Sequence, residues 1–261
     1  MTQEILHGFH PVGEALRAGR RRVEAILVSD RRGDRRLEAL IAEAETRQIP
    51  VRRLPQAELT NLAGPHHQGV AARVGPLAVL DLDGLCSALG DGTCPPWILV
   101  LDGVVDPQNL GALVRTAVCA DMGAVVLPKD RSARPGPAVS RASAGALEHV
   151  RLAVVPNIVA ALQALKPLGL WVAGLDRNEG RPLFASDLSG PLAIVVGAEG
   201  KGIRPLVRRH CDFLVAVPQT GPIDSLNASV AGAVVIYESW RQRHPASGMP
   251  NEVGKPSGSI G

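Results

Sequence analysis

Several residue classes are scarce in this 261-residue chain, and each scarcity argues against a class of protein. Aromatic residues make up only 3%, so the stacking surfaces on which many RNA-binding proteins hold splayed bases are nearly absent. No apolar run approaches the roughly 18 residues of a membrane span. Residues Met1–Gly13 contain no apolar core of a secretory signal. These absences predict a soluble cytoplasmic protein that has no membrane-spanning segment.

Cysteine is also scarce, with Cys86, Cys94, Cys119 and Cys211 as its only occurrences. None of them forms a C-x-x-C pair, and their spacings match no zinc-binding pattern. The sequence therefore predicts reduced thiols and no metal site. Hydrophobic residues make up 46% and charged residues 20%, a balance with enough apolar residues for a folded core.

The net charge of +3 lies entirely in the first 75 residues, which contain 12 arginines, no lysine and 9 acidic residues. Clustered arginine is typical of proteins that bind a phosphate backbone. The alternative is an ordinary solvated surface, because the whole chain has 24 arginines against 4 lysines. The candidate RNA-binding residues are Arg17, Arg20, Arg21, Arg22, Arg31, Arg32, Arg35 and Arg36.

Composition and periodicity divide the chain into four parts. Residues 1–75 alternate short strand and helix patterns, as expected of a small α/β domain. Residues 76–96 are rich in Gly, Pro and Asp, which predicts a linker with a short helix. Residues 97–243 contain continuous apolar strands typical of a parallel sheet covered on both faces, and residues 244–261 predict a disordered tail. The fold class is therefore α/β.

Three strand-to-loop junctions of the second domain could carry chemistry, since ligands of such sheets bind beyond the carboxyl ends of the strands. They read N-x-G-x-x-x-R over Asn109–Arg115, G-x-E-x-x-G over Gly197–Gly202 and S-L-N-x-S-x-A over Ser225–Ala231. Each has a purely structural alternative: a helix cap with a surface arginine, a turn with an exposed glutamate, and a helix start that packs closely. The glycine pattern matches neither a P-loop nor a dinucleotide fingerprint.

Two helices are expected next to these junctions. The spacing predicts one helix over Ser140–Glu148 and another over Ser225–Arg243. Ser225 is a good N-cap for the second helix.

Together the three junctions resemble, in order and composition, the motifs of the SpoU (TrmH-type) class of RNA 2′-O-ribose methyltransferases. Ser140–His149 is similar to the segment between the first two motifs, and parts of His7–Leu16 and His67–Val70 resemble the substrate domain of the class. The resemblance implies a ribosomal-protein-L30e-like domain followed by a SPOUT domain with a trefoil knot. It also implies S-adenosylmethionine as cofactor, a homodimer, and an RNA substrate, with most similarity to enzymes that methylate a guanosine of 23S rRNA.

The resemblance implies roles for individual residues. Arg115 would bind the phosphate next to the target and stabilise the developing alkoxide, because a guanidinium stays protonated in proteins. Asn109 would orient the ribose or Arg115, and Glu199 would hold the motifs together. The implied catalytic residues are Asn109, Arg115, Glu199, Ser225 and Asn227. The implied cofactor contacts are Gly197, Val217 and Leu226.

Other functions remain open at this point. A non-catalytic RNA-binding or ribosome-assembly factor could keep the same fold, and a related enzyme could methylate tRNA instead. A nucleotide-dependent oxidoreductase is disfavoured by the order of the glycines. Binding of S-adenosylmethionine as against nicotinamide cofactors separates these classes.

Overall fold

In the computed structural model, which describes residues 3–31, 33–223 and 225–245, the chain forms two β-sheets covered by helices. The first sheet has the strand order β1-β4-β2-β3, and the second has the order β7-β6-β5-β10-β8-β11-β9. The strands are β1 (Glu4–His7), β2 (Val23–Ser29), β3 (Val51–Leu54), β4 (Val70–Val74), β5 (Trp97–Asp102), β6 (Ala124–Pro128), β7 (Leu152–Val155), β8 (Trp171–Leu175), β9 (Arg181–Pro182), β10 (Leu192–Gly197) and β11 (Phe213–Ala216). The helices are α1 (Phe9–Ala18), α2 (Arg35–Thr46), α3 (Gln56–Ala63), α4 (Leu82–Gly90), α5 (Pro107–Cys119), α6 (Pro137–Ala142), α7 (Ile158–Leu165), α8 (Pro205–Arg209) and α9 (Ala228–Arg243).

The first sheet is mixed, and its two faces form separate cores. Strand β4 pairs antiparallel with β1 and β2, while β2 pairs parallel with β3. Because side chains alternate across a strand, Ile26 and Val28 pack on one face with α1 and α2. Leu27 packs on the other face with Leu59 of α3. The α/β character expected for this part of the chain is confirmed.

The second sheet is built from parallel pairs. All residues of β5, β6 and β10 are buried. Leu99 and Leu101 of β5 face α5 and α9, whereas Ile98 and Val100 face the side covered by α4 and α7. Burying each such side chain contributes roughly 1.5–3 kcal/mol. Helices therefore cover both faces, as the continuous apolar strands predicted.

The segment expected to be a linker, residues 76–96, packs onto the second sheet. Leu80 donates its N–H to the carbonyl of Leu152 at 2.9 Å and accepts from the N–H of Val154 at 2.9 Å, extending the sheet beyond β7. Leu85 of α4 is fully buried in the core beneath. Gly84 and Gly90 belong to α4 and do not mark turns, and most leucines of the segment pack in the core that α4 and α7 cover.

Two helices differ from their expected bounds, and the one expected over Ser225–Arg243 begins only at Ala228. The helix expected over Ser140–Glu148 ends at Ala142, and a short 3₁₀ turn forms over Ala146–Glu148. Ala144 and Gly145 between them adopt left-handed backbone angles, with φ of 52° and 87°. A Cβ at Gly145 would lie 2.6 Å from Cγ of Glu14, so the break lets α1 of the first domain approach.

A buried ion pair joins the two domains behind this break. Arg21 Nε and Nη2 each donate at 2.7 Å to the carboxylate of Glu148, which also accepts from the Ser140 hydroxyl at 2.7 Å. Arg21 Nη1 donates to Glu4 at 2.7 Å. Around the pair, Arg20 Nη1 donates to the carbonyl of His149 at 2.6 Å.

The predicted disordered tail spans residues 244–261. Residues 246–261 of it lie outside the described part of the chain. His244, which is described, stacks on Trp240 with ring centroids 4.4 Å apart. No helix in the described ranges is long and apolar enough to cross a membrane, and the trefoil knot stays a prediction.

Candidate active site

A cleft opens beyond the carboxyl ends of the neighbouring strands β8, β10 and β11, where parallel α/β sheets bind their ligands. It measures about 830 Å³ including its solvent-open mouth, within the roughly 300–1,000 Å³ of small-molecule sites. The loops after all three strands line it, and the first turn of α9 closes one side. The lining residues are Leu175, Asp176, Arg177, Asn178, Val196, Gly197, Ala198, Glu199, Gly200, Lys201, Gly202, Val217, Gln219, Ser225, Leu226, Ala228 and Ala231.

The loop after β10 is a tight hairpin that only glycine permits at three positions. Ala198 and Gly202 exchange both backbone hydrogen bonds, at 3.1 and 2.8 Å. A Cβ at Gly197 would overlap the backbone of Gly202, while Gly200 and Gly202 have φ of 74° and 63°. The hairpin geometry thus requires glycine at the spacing of the G-x-E-x-x-G motif. Glu199 lies near the tip of the hairpin.

The three motifs converge on the carboxylate of Glu199. Asn109 Nδ2 donates to Glu199 Oε2 at 2.9 Å, and Asn227 Nδ2 donates to the same oxygen at 3.3 Å. Asp106 places Asn109, because its carboxylate caps the amino terminus of α5. One acidic side chain therefore ties together segments up to 118 residues apart in the printed sequence, from 109 to 227.

Asn227, and not Ser225, is the N-cap of α9. Its Oδ1 accepts from the N–H of Ser229 at 2.9 Å and of Val230 at 3.4 Å. This capping bond turns Nδ2 toward Glu199, so both ends of the amide are used. Ser225 is exposed in the loop before the helix and lines the cleft.

Arg115 is exposed on α5, outside the residues that line the cleft. It lies one helical turn beyond Gly111, on the same face of the helix. A Cβ at Gly111 would lie 2.5 Å from the Cβ of Ala142, so α5 and α6 are in backbone contact there. Gly111 therefore lets another helix approach α5 closely. Within the described residues no hydrogen bond joins Asn109 to Arg115.

The structure brings most of the predicted site residues together. Gly197, Val217 and Leu226, the predicted cofactor contacts, all line the cleft. Glu199 and Ser225 line it too. Asn109 and Asn227 adjoin it through their bonds to Glu199. The assignment of roles to these residues stays a prediction.

The sequence reasoning missed the Asp102–Arg204 pair below the cleft. The fully buried carboxylate of Asp102 ends β5 and accepts from the backbone N–H of Arg204 at 2.8 Å and from its Nε at 2.7 Å. The pair fixes the chain that leaves the Gly197–Gly202 hairpin. The sequence did offer a signal for this pair: Asp102 ends a strand that contains no other charged residue. The loop after β8, which lines the cleft with Asp176 and Arg177, carried no such signal.

The arginines of the first domain divide into different environments. Arg21 was predicted to bind RNA, but it is buried against Glu148 and Glu4 and does not face solvent. This is a correction to the predicted surface. Arg32 lies outside the described residues. The exposed members are Arg17, Arg20, Arg22, Arg31, Arg35 and Arg36.

Comparison with known proteins identifies the family. Residues 96–237 match the SpoU rRNA Methylase family. The chain belongs to this family. Residues 5–79 match a second family, described as RNA 2′-O ribose methyltransferase substrate binding. The two matches fall on the two sheets of the structure, and the predicted family is confirmed.

Relatives cover nearly the whole chain. The 23S rRNA (guanosine-2′-O-)-methyltransferase RlmB of Pseudomonas putida is 43% identical over 240 residues, 92% of this chain and 97% of that protein. The RlmB of Ralstonia nicotianae is 40% identical over 92% of this chain and 96% of that protein.

Solved structures share the fold. The SpoU methyltransferase AviRb from Streptomyces viridochromogenes, in complex with AdoMet, has a TM-score of 0.76 at 23% identity, over 92% of this chain and 90% of that one. A structure described as an RNA 2′-O ribose methyltransferase has a TM-score of 0.74 at 25% identity, over 92% of this chain and 89% of that one. The expected pairing of a substrate-binding domain with a SpoU methyltransferase domain is thereby confirmed.

Proposed function

We propose that this chain is an S-adenosylmethionine-dependent methyltransferase that modifies the 2′-hydroxyl of a guanosine in 23S rRNA. The observation that carries the proposal is the convergence of Asn109, Glu199 and Asn227 beside one cleft. The substrate assignment is supported by the RlmB relatives, which this chain matches over 96–97% of their length.

The residues of the cleft fit S-adenosylmethionine. Val217 and Leu226 offer apolar walls, and the hairpin over Gly197–Gly202 offers backbone N–H and C=O groups for a purine and a ribose. Ala228 and Ala231 keep the α9 side of the cleft open because they are small. When bound, the cofactor supplies a methyl group on a sulfonium.

Arg115 fits a role on the RNA side of the reaction. Its guanidinium stays protonated in proteins, so it does not act as the base; it can bind the phosphate beside the target ribose and stabilise negative charge on the 2′-oxygen. It is exposed, and no other described residue hydrogen-bonds it. Glu199, with Asn109 and Asn227, positions the hairpin and α5 relative to one another. The enzyme's contribution is thus mainly orientation and charge stabilisation.

A homodimer is part of the proposal, and α9 supports it. One face of the helix is buried on α5 and β10 through Gly232, Val235 and Ile236. The other face exposes Val230 by 50% and Tyr237 by 47%. These two residues are seven apart and share a face, which is apolar and adjoins the cleft. A second copy packed there would place its own surface beside the S-adenosylmethionine site.

The RNA partner is proposed to lie on the exposed arginines of the first domain. Arg22, Arg31 and Arg35 are exposed, and no other described residue pairs with them. Arg17 instead pairs with Glu14. We propose a cytoplasmic location, because bacteria such as Pseudomonas putida make their ribosomal RNA in the cytoplasm.

The test is methyl transfer to a defined RNA. Purified protein, methyl-labelled S-adenosylmethionine and an unmodified 23S rRNA transcript are expected to yield 2′-O-methylguanosine after nuclease digestion. Arg115→Ala is expected to lose transfer while binding the cofactor normally in calorimetry, and Arg209→Ala, an exposed arginine on α8, is the matched control.

Each alternative has its own outcome. No binding of S-adenosylmethionine by the wild type leaves only a non-catalytic RNA-binding factor. Methylation of a tRNA pool but not of the 23S transcript identifies a tRNA enzyme. Equal loss of cofactor binding and transfer in Arg115→Ala makes Arg115 a structural residue.

A further inference from the structure

A second cleft lies where the two domains meet and has no part in the chemistry above. It measures about 870 Å³ including its solvent-open mouth. The first domain lines it with His7, His10 and His66, and α6 of the second domain lines it with Arg141. Polar side chains from both domains therefore point into one space.

The cleft carries one guanidinium, that of Arg141, and none of the described residues that line it is acidic. Burial lowers the pKa of His7, and the charge interactions with Arg141, His67 and His66 lower it further, so His7 contributes hydrogen-bonding groups and not charge at neutral pH. The amino terminus of the 10-residue helix α1 opens at the same place, and helix amino termini favour anions. Imidazole and guanidinium groups supply hydrogen-bond donors.

One end of the cleft continues into the arginine surface of the first domain. Arg36 Nη2 lies 3.1 Å from Nε2 of His10 and its guanidinium stacks 4.5 Å over the ring of Phe9. Arg35, its neighbour at the start of α2, is exposed. Arg36 therefore donates to Nε2 of His10 and brings the positive charge of α2 to this end of the cleft.

The other end leads to the first motif. Ala142, next to Arg141 on α6, contacts Gly111 of α5, and Arg115 lies one turn beyond Gly111 on the same face. Since a helix with its side chains is about 10 Å across, the cleft and the helix that carries Arg115 are about one helix apart. A nucleic acid strand can span that distance.

We propose that this cleft binds a backbone phosphate of the RNA strand that carries the target ribose, an inference that rests on the proposed function. Its donors and positive charge fit a phosphodiester. No Phe, Tyr or Trp is among the described residues that line it, and the imidazole and guanidinium N–H groups fit phosphate oxygens. The phosphate held at His10 and Arg141 sets the register in which the target nucleotide reaches Arg115.

The test measures binding of an unmodified 23S rRNA transcript as a function of KCl concentration. Arg141→Gln removes one positive charge from an exposed side chain and is expected to reduce the log–log salt slope by about 0.7–0.9, with about fourfold weaker binding at 0.15 M salt. His66→Ala, also exposed, is expected to raise KM for the transcript. In both variants kcat is expected to stay within about twofold of wild type, since saturating RNA restores the register. Arg209→Gln is the charge-matched control.

Calorimetry with S-adenosylmethionine, combined with the transfer assay, separates the two proposals. A wild type that binds no cofactor and methylates nothing overturns the proposed function. A wild type that methylates the transcript, with Arg141→Gln and His66→Ala both matching Arg209→Gln in salt slope and KM, overturns the phosphate site alone. A loss confined to kcat also overturns it, because Arg141 would then act only through the position of α5.

Discussion

The buried pair between Arg21 and Glu148 predicts that an arginine of the basic cluster matters for domain packing and not for RNA contact. Both side chains are 1% exposed and share two hydrogen bonds of 2.7 Å. Arg21→Ala leaves the Glu148 carboxylate buried with the Ser140 hydroxyl as its remaining partner. Breaking a buried pair from one side costs about 3–5 kcal/mol. At roughly 2–4 °C per kcal/mol for a domain of this size, Tm is expected to fall by about 6–20 °C.

The domains have one way to avoid this cost. If they separate, water reaches Glu148, and the loss is limited to the free energy with which the domains dock. Arg21→Ala is therefore expected either to lower Tm by the amount given or to expand the molecule. Differential scanning calorimetry measures the first outcome, and the radius of gyration from small-angle X-ray scattering measures the second.

Two variants complete the experiment. The double variant Arg21→Met with Glu148→Leu removes both charges and is expected to recover most of the loss, because replacing a whole buried pair with apolar residues is often neutral. Arg22→Ala, an exposed neighbour, is expected to stay within about 0.5 kcal/mol of wild type. The reasoning is refuted if Arg21→Ala changes neither Tm nor the radius of gyration, or if the double variant is as unstable as the two single losses added.

Two residues of the site, one residue on the exposed face of α9 and two thiols give further expectations. Gly197→Ala is expected to abolish S-adenosylmethionine binding in calorimetry, because the new Cβ overlaps the hairpin backbone; normal affinity contradicts this. Asn109→Ala is expected to lower kcat by about tenfold, the effect of one lost bond to a charged group, and unchanged kcat contradicts it. Tyr237→Glu is expected to give a monomer in analytical ultracentrifugation, and a persistent dimer places the interface elsewhere. Iodoacetamide at pH 8 is expected to label exposed Cys119 before Cys211, since burial raises the pKa of Cys211 to about 12 and the thiolate is the reactive form; mass spectrometry that finds the reverse order contradicts it.

The strands and the motifs were predictable because their signals are local. An unbroken apolar run such as Ile98–Leu101 has few ways to be buried except in a covered parallel sheet. The glycines of Gly197–Gly202 record backbone geometry directly, since a side chain at Gly197 has no room. Each of these features depends on residues within a few positions of one another.

Features that depend on distant partners were not predictable. Nothing in the run Arg20–Arg22 marks Arg21 as the one that turns inward, because its partner Glu148 is 127 residues away. The choice between Ser225 and Asn227 as N-cap has the same origin. Both are good caps, and the contact of Asn227 with Glu199 decides between them.

The predicted linker contains the short helix expected within it, but the burial of that helix was not predicted. Leu82, Leu85 and Leu89 recur at helical spacing on one face of α4 and pack in the core of the second sheet. Composition reports the average of a segment, whereas burial depends on the spacing of a few residues. Leu80 extends the edge of the second sheet by pairing with β7. This pairing could not be predicted without knowing where β7 lies.

The segment from Pro137 to Glu148 joins three functions that the sequence presents separately. Its first helix contacts Gly111 with no space for even a methyl group, so α5 cannot shift unless this segment shifts with it. Its last turn carries Glu148, whose carboxylate accepts two hydrogen bonds from Arg21 of the first domain. On the first helix, Arg141 lines the cleft proposed to hold an RNA phosphate. Docking of the first domain therefore constrains the position of α5, the helix that carries Asn109 and Arg115. A substitution at the domain junction is expected to shift α5 through these packing contacts alone.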